Sequence, residues 1–332
     1  MKAIFRCDAT SDIGFGHLSR CIALAEAFRL CAVGSIFAGL FDPGARDQIA
    51  AAGFDRIDLA APVNSGTEMG DDNGSFVVID SYRVNETYLA GLKAGGHATV
   101  VIDDFKALSA YPCDVVLNFT WEAQALGYPE GPVLLLGPEY FPARRRLVEL
   151  RPDSMARDRR GPIRNLLIAI GGSDPKRIAE RLIRILRERN ADMCLWVVAA
   201  DDADLGSGLA DFAPGSRVLP RQPDLSEQLV WADACITGGG LIKYESAFMG
   251  VPAAAISQNE GQAGESRGLS GAGLVFDLGL ADERSDEELA SALDRFFANR
   301  VLRHGLAGRM QEAFPPDPSA HAARAIVEAV RR

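Results

Sequence analysis

Two patterns of apolar residues alternate along this chain. Short apolar runs typical of buried strands are followed by stretches in which apolar residues recur at three- and four-residue spacing, as on a helix that packs against a sheet. The first run covers residues 3–7. The first helix is predicted to begin near Leu18, with its apolar face at Leu18, Cys21, Ile22, Ala25 and Phe28. Alternation of this kind predicts a parallel α/β fold.

The pattern divides the chain into two halves. In the first half it predicts further strands over 33–38, 76–79, 99–102, 115–117 and 133–136, and helices over 43–52 and 85–94. It then stops over 141–162, a stretch rich in arginine and proline, whose later part we interpret as an interdomain connection. Its arginines could meet a phosphate or a membrane surface, but the solvated face of a linker explains them more simply.

In the second half the pattern predicts strands over 165–170, 194–199, 217–219, 234–236 and 253–256. Glycine-rich turns follow two of these strands, at 171–175 and 237–240, and each leads into a helix. Such turns present backbone N–H groups that suit a diphosphate, although a sharp turn alone also explains the glycines. Glu245 could accept hydrogen bonds from the hydroxyls of a ribose. Alternatively, its negative charge could simply interact favourably with the dipole of its own helix. The polar cluster 257–262 could hold the same ligand or cap a helix.

Composition narrows the class of protein. The 332 residues are 48% hydrophobic and 24% charged, which is enough for two domain cores. The net charge of −10 argues against a nucleic-acid partner. We expect no signal peptide and no membrane insertion, because Arg6 interrupts the first run after three apolar residues and no run approaches the roughly 18 apolar residues of a membrane span. The six scattered cysteines predict buried thiols of a cytoplasmic protein: Cys7, Cys21, Cys31, Cys113, Cys194 and Cys235.

His17 is the strongest candidate for chemistry. It follows Gly14-Phe15-Gly16 at the predicted junction between the first strand and the first helix. The positive end of the helix dipole disfavours a protonated imidazole there, and a neutral imidazole can act as a general base. The alternative is an ordinary residue of the first helical turn that hydrogen-bonds to water.

The same stretch resembles the G-x-G-x-x-G fingerprint of dinucleotide-binding proteins but departs from it. Ser19 stands at the third glycine, six residues separate the strand from Gly14, and no acidic residue follows the second strand. A nicotinamide-dependent dehydrogenase is therefore a poor interpretation. The remaining histidines, at 97, 304 and 321, have no ligand-like spacing, so we expect no metal and no cofactor.

Taken together, these motifs resemble those of a known family. Two α/β halves with Gly14-Phe15-Gly16-His17 in the first and two glycine turns in the second resemble the GT-B fold of nucleotide-sugar enzymes such as the MurG glycosyltransferase. More closely, the chain resembles the PseG/SpsG family, UDP-sugar hydrolases of pseudaminic acid biosynthesis. The likeness covers roughly residues 1–280 and runs through these segments: Arg6-Cys7-Asp8, Ile13 to Leu18, Arg20, Asp80-Ser81-Tyr82, Ile102-Asp103-Asp104, Leu117-Asn118, Gly171 to Asp174, Gly240-Leu241 and Glu245-Ser246-Ala247.

The resemblance implies two Rossmann-like domains that face a central cleft. It implies a first domain over 1–155 with the catalytic histidine and the sugar site, a UDP-binding domain over 162–315, and a last helix over 316–332 that packs back on the first domain. His17 would be the base that activates water. The implied sugar-binding residues are Asp12, Gly14, Phe15, Gly16, Arg20, Tyr82, Asp103 and Asn118. The implied nucleotide-binding residues are Gly171, Gly172, Ser173, Gly238, Gly239, Gly240, Leu241, Glu245, Asn259 and Gln262.

The implied reaction is the hydrolysis of a UDP-linked 2,4-diacetamido-2,4,6-trideoxy sugar, with UDP as a product. Two departures from the family suggest a divergent sugar: Gly261 stands where an asparagine is usual, and Tyr244 precedes Glu245 where a small or polar residue is expected. Two alternatives stay open. A glycosyltransferase would use His17 on an acceptor hydroxyl, and a non-catalytic binding protein for nucleotide sugars would not need His17. A monomer is compatible with the sequence.

Overall fold

The computed structural model describes residues 1–10, 12–63, 74–171, 174–189, 192–199 and 203–331. The chain forms two compact units. The first contains residues 1–145 and 314–332, and the second contains residues 146–313. Each is an α/β unit around one parallel sheet.

The first unit has a seven-stranded sheet. Its elements are β1 (Lys2–Cys7), α1 (Gly16–Leu30), β2 (Gly34–Gly39), α2 (Pro43–Ala51), β3 (Asp55–Asp58), β4 (Ser75–Asp80), α3 (Glu86–Ala94), β5 (Ala98–Ile102), β6 (Val115–Asn118) and β7 (Val133–Leu136). The strand order is β3-β2-β1-β4-β5-β6-β7, and every paired neighbour is parallel. The order reverses between β1 and β4, and the carboxyl ends of the strands at such a reversal are where open α/β sheets bind ligands.

Aromatic residues fill one side of this sheet. Phe5 of β1 stacks on Phe37 of β2, with ring centroids 5.1 Å apart, and Phe28 of α1 meets both Phe5 and Phe76. The last helix of the chain, Pro318–Ala329, contributes Ile326 and neighbouring apolar residues to the same core. Burial on both faces explains why the central strands read as continuous apolar runs.

Sequence patterning missed several elements, among them an edge strand of the first sheet and a helix at the boundary between the units. β3 is an edge strand whose four residues are all exposed, so it carries no apolar signal. The arginine-rich stretch contains a helix, α4 (Arg145–Ala156), and the boundary between the units falls at its start instead of at 155–162. A solvated face does describe Arg145, Arg146 and Arg160, which are exposed, but it does not describe every arginine of the stretch. Arg151 stacks over Phe248, 4.4 Å from the ring centroid, and Arg157 donates to the carbonyls of 230 and 231.

The second unit has a six-stranded sheet of order β10-β9-β8-β11-β12-β13. Its elements are β8 (Asn165–Ala169), α5 (Ile178–Arg187), β9 (Cys194–Ala199), α6 (Ala203–Gly208), β10 (Arg217–Pro220), α7 (Ser226–Trp231), β11 (Ala234–Gly238), α8 (Ile242–Phe248), β12 (Ala253–Ser257), α9 (Glu260–Gly271), β13 (Phe276–Leu280), α10 (Asp286–Ala298) and α11 (Arg300–Ala313). The helix Pro318–Ala329 is α12. Here the order reverses between β8 and β11, the two strands that the glycine-rich turns follow.

All six cysteines are free thiols, and four of them are buried. None of the helices in the described ranges combines the length and the apolar character needed to cross a bilayer.

Candidate active site

The carboxyl ends of β1, β4 and β5 assemble a cluster of polar side chains in the first unit. The sheet register sets Cys7, the last residue of β1, beside Asp80, the last residue of β4, and sets Asp80 beside Ile102 at the end of β5. Side chains that follow these strands therefore meet at the reversal point of the strand order, where open α/β sheets bind ligands.

The loop between β1 and α1 places His17 at this edge. Gly14 adopts φ +87°, a left-handed conformation that glycine reaches without steric cost. Phe15 is the N-cap of α1 and makes no side-chain capping bond, and α1 begins at Gly16, so His17 lies in the first turn. Apart from the chain neighbours and the backbone of α1, no heavy atom of the described residues lies within 4 Å of a Cβ built on Gly14 or Gly16. These residues therefore leave space beside the backbone there. Asp12 is exposed.

His17 and Asp80 form a hydrogen-bonded pair. The imidazole Nδ1 lies 2.6 Å from Asp80 Oδ1, and the two side chains are 9% and 0% exposed. Because an ionised carboxylate only accepts hydrogen bonds, the proton of a neutral His17 is assigned to Nδ1. Among the described residues Nε2 has no partner. The arrangement therefore leaves Nε2 with a lone pair that can accept a proton.

Arg20, one turn further along α1, ties two carboxylates together. Its Nε and Nη2 each donate to Asp80 at 2.6 Å, and its Nη1 donates to both oxygens of Asp104 at 2.7 and 2.9 Å. Tyr82 donates its hydroxyl to Asp104 Oδ2 at 2.6 Å, and its ring meets the edge of the His17 ring at a centroid distance of 4.6 Å. One guanidinium thus fixes the carboxylate that orients His17 and the carboxylate that orients Tyr82.

Opposite charges within this cluster keep the Asp80 carboxylate and the Arg20 guanidinium ionised. Burial alone would raise the pKa of Asp80, but the Arg20 guanidinium and the His17 ring hold it well below its usual range. Burial opposes the charge of Arg20, yet Asp104 and Asp80 raise its pKa well above the ordinary value. Burial around the hydroxyl and the Asp104 carboxylate raise the pKa of Tyr82. When His17 is neutral, Asp80, Asp104 and Arg20 together carry one net negative charge. This charge stabilises positive charge that develops beside the cluster.

Two of the predicted sugar-binding residues lie in a separate network of the same unit. Asp103 Oδ2 accepts from the hydroxyls of Tyr111 and Tyr128, the latter at 3.0 Å, and Asn118 Nδ2 donates to Tyr128 at 2.8 Å. Burial and the Asp103 carboxylate raise the pKa of Tyr111. The structure therefore gives Asp103 and Asn118 structural partners, and their contact with a sugar stays a prediction.

The resemblance to a known family implies no role for Asp80 or Asp104, although both belong to the motifs that carry it. Both lie at the ends of apolar strands, and an acidic residue at the carboxyl end of a parallel strand is itself a signal for this edge. What no pattern showed is that one arginine joins them, because Arg20 is separated from Asp80 by 60 residues and from Asp104 by 84.

In the second unit, the glycine turn at the end of β11 is closely packed at Gly238 and Gly239 and is open at Gly240. A Cβ on Gly238 would lie 1.9 Å from the Ile170 carbonyl oxygen, and a Cβ on Gly239 would lie 2.6 Å from Gln262 Cβ. Gly240 is exposed, and its chain neighbours aside, no heavy atom of the described part of the chain lies within 4 Å of its Cβ position. Glycine is therefore required at 238 and 239 by close packing, and the open side lies at Gly240.

The other predicted nucleotide-binding residues surround this turn or cap helices near it. Leu241 is the N-cap of α8 and Glu245 lies in the first turn of that helix, half-buried. Asn259 is the N-cap of α9, where its side chain accepts from the Gln262 N–H at 3.0 Å. Gln262 Oε1 accepts from the N–H of residue 258 at 2.9 Å.

The turn after β8 is described only in part. Gly171 adopts φ +131°, and none of the described residues beyond its chain neighbours comes within 4 Å of its Cβ position. Gly172 and Ser173 lie outside the described residues. Asp174 accepts from the N–H groups of 178 and 179 at the start of α5, at 2.9 and 2.8 Å. No three His, Cys, Asp or Glu side chains in the described part of the chain are grouped as a metal site.

Comparisons with known proteins agree with this architecture. No protein-family model matches the chain. An uncharacterized protein of Methanocaldococcus jannaschii is 22% identical over 272 residues, 78% of this chain and 56% of its own length. The spore coat polysaccharide biosynthesis protein SpsG of Bacillus subtilis is 28% identical over 183 residues, 53% of this chain and 51% of its own length. The chain thus spans about half the length of the curated relatives it matches.

Solved structures share the fold across the whole chain. MurG of Acinetobacter baumannii superposes with a TM-score of 0.69 at 16% identity, covering 99% of this chain and 100% of that one. Structures with a similar fold include LpCGTa in complex with UDP and VinC in complex with dTDP, at 14% and 13% identity. The predicted GT-B fold of two parallel-sheet units is confirmed, and so is the resemblance to the PseG/SpsG family.

Proposed function

We propose that this protein is a hydrolase that releases UDP from a UDP-linked 2,4-diacetamido-2,4,6-trideoxy sugar, in the biosynthesis of a nonulosonic acid of the pseudaminic type. The observation that carries the proposal is the pair of His17 and Asp80, joined at 2.6 Å, with Nε2 of His17 available as a base. The similarity to SpsG supports a role in the biosynthesis of a surface sugar.

The reaction assigned to this site is attack by water on the anomeric carbon. His17 Nε2 takes one proton from water, the water oxygen forms a bond to the anomeric carbon, and the bond from that carbon to the diphosphate oxygen breaks. The products are the free sugar and UDP. Asp80 stabilises the imidazolium that forms, and the negative cluster stabilises the positive charge that develops on the sugar ring.

The aromatic side of the site suits the sugar. Tyr82 is 59% exposed and lies against His17, and Phe105 follows at a centroid distance of 5.9 Å from Tyr82 and is also exposed. A trideoxy sugar with acetamido groups presents more apolar surface than an ordinary hexose, and aromatic rings bury such surface well. We therefore assign Tyr82 to the sugar, together with the loop from Asp12 to Gly16.

The UDP portion is assigned to the second unit. The Gly238–Gly240 turn, with its open side at Gly240, supplies N–H groups to the diphosphate, and Glu245 accepts the ribose hydroxyls. A nucleoside diphosphate is a good leaving group, so N–H donors aimed at its oxygens are enough to stabilise the developing charge. The UDP and dTDP complexes of proteins with a similar fold support this assignment.

A glycosyltransferase is the second candidate, because the solved structures that share the fold include MurG and other glycosyltransferases. In that case His17 would take the proton from an acceptor hydroxyl. The two reactions differ in one requirement. A hydrolase releases UDP with substrate and water alone, whereas a transferase releases UDP only when an acceptor is present.

The deciding experiment uses the purified chain and a panel of UDP-linked diacetamido sugars in ¹⁸O-labelled water. We expect UDP release without an acceptor, with the label on the anomeric oxygen of the sugar and none in UDP. His17→Asn should abolish the release while UDP still binds. Label in the UDP phosphate would mean attack at phosphorus and would contradict the mechanism. Turnover only after an acceptor is added would favour the transferase.

A further inference from the structure

A buried lysine lies directly beneath the glycine turn of the second unit. The side chain of Lys243, in α8, has no exposed surface. Its Nζ donates to the Gly239 carbonyl and to Glu265 Oε2, the latter at 2.5 Å. Tyr244 donates its hydroxyl to the other oxygen of Glu265 at 2.7 Å. An ammonium is removed from water only at a large free-energy cost unless such partners surround it.

This network explains the aromatic residue before Glu245. A small side chain at 244 could not reach Glu265 in α9, whereas the Tyr244 ring is buried and its hydroxyl reaches that carboxylate. Lys243 and Tyr244 thus hold Glu265 from two sides. The network joins α8, α9 and the turn between β11 and α8.

The bond to Gly239 fixes the direction of a neighbouring N–H group. The Gly239 carbonyl and the Gly240 N–H belong to one planar trans peptide, so they point in opposite directions. Lys243 holds the carbonyl toward the buried interior. The Gly240 N–H is thereby turned away from Lys243, and Gly240 is the exposed residue of the turn, with open space around it.

We propose that Lys243, together with Glu265 and Tyr244, is a positioning residue for phosphate: it holds the Gly239 carbonyl inward so that the Gly240 N–H faces a bound diphosphate. The inference rests on the proposed function, because it takes the diphosphate to be the ligand of this turn. Glu265 neutralises the ammonium, so Lys243 acts through the orientation of the peptide and not through a direct bond to the ligand.

The test compares a ligand that carries the diphosphate with one that lacks it. Affinities of the full chain for UDP and for uridine are measured for the wild type, Lys243→Met and Glu265→Gln. We expect Lys243→Met to weaken UDP binding about tenfold, the loss of roughly one hydrogen bond to a charged group, and to leave uridine binding unchanged. Glu265→Gln keeps the shape of the network and should show a smaller loss of the same kind, which keeps the test usable if Lys243→Met folds poorly.

Arg303→Met is the matched control. Arg303 is a buried cation of the same unit that also donates to backbone carbonyls, those of 296, 297 and 161, and these lie outside the glycine turn. It should lose stability and keep its UDP affinity. Equal losses for UDP and uridine in Lys243→Met would indicate general loosening and overturn the inference, as would unchanged UDP affinity. A wild-type chain that binds no UDP would instead overturn the proposed function itself.

Discussion

Replacing Asp80 by asparagine tests the base most directly. Asp80 accepts three hydrogen bonds at 2.6 Å, one from His17 Nδ1 and two from Arg20. An amide has the same shape but only one acceptor oxygen. If that oxygen takes the place of Oδ2, where it accepts from Arg20 Nε, the amide N–H₂ takes the place of Oδ1. It then faces Arg20 Nη2 and His17 and converts Nδ1 of His17 into an acceptor. The imidazole proton then moves to Nε2, and Nε2 can no longer take a proton from water.

The expected loss follows from this change of tautomer. General base catalysis contributes about 10²- to 10⁴-fold, so the kcat of Asp80→Asn should fall within that range. Binding of UDP should not change, because the nucleotide is assigned to the other unit. Stability should fall by about 1.5–3 kcal/mol, the range for a hydrogen bond to a charged group, since Arg20 keeps its two bonds to Asp104.

The assay is the initial rate of UDP release at saturating substrate, with the melting temperature recorded in parallel. Nitrogen-15 spectra of the histidines report the tautomer, Nδ1–H in the wild type and Nε2–H in the variant. Asp114→Asn is the control, because Asp114 accepts from the Thr99 N–H at 2.8 Å at the amino end of β5 and touches no residue of the cluster. A folded Asp80→Asn variant that keeps its kcat within about threefold, well short of the general-base range, would refute the role of the pair.

Three further predictions concern the ligand, the glycine turn and acid stability. Glu245→Ala should weaken UDP binding by about 1–3 kcal/mol in calorimetry, with or without EDTA; binding only after a divalent metal is added would contradict the assignment. Gly238→Ala should destabilise the fold by about 1–3 kcal/mol in thermal unfolding, because its Cβ would lie 1.9 Å from the Ile170 carbonyl oxygen. Gly240→Ala should keep the stability of the wild type and bind UDP more weakly. Equal melting temperatures for the two variants would contradict the different roles of these glycines. The folded pKa of Asp80 is depressed below the unfolded value of about 3.9, so unfolded chains take up this proton first and stability should fall as the pH drops below about 5. In Asp80→Asn the free energy of unfolding should depend less steeply on pH in this acidic range. An unchanged slope between pH 5 and 3 would show that Asp80 does not contribute to the acid dependence.

Local patterns predicted most of the strands and helices because each depends on residues close together in the chain. Buried parallel strands need continuous apolar runs, and helices need apolar residues on one face. Patterning missed β3 and α4 because an exposed edge strand has no continuous apolar run and an arginine-rich helix has only a weak apolar face. The glycine turns were visible, but why glycine is required was not. Only the fold brings the Ile170 carbonyl to within 1.9 Å of a Cβ at 238.

Patterns along the chain are enough to predict the α/β class, the division into two halves, and a histidine at the first junction between strand and helix. What that histidine can do depends on contacts that form only in the folded protein. Parallel pairing aligns Cys7 with Asp80 and Asp80 with Ile102, and so brings the ends of β1, β4 and β5 to one edge. Only there do His17, Arg20, Asp80 and Asp104 come within hydrogen-bonding distance. Hydrogen bonds between side chains act over about 3 Å whatever the separation in sequence, so no local pattern could reveal them.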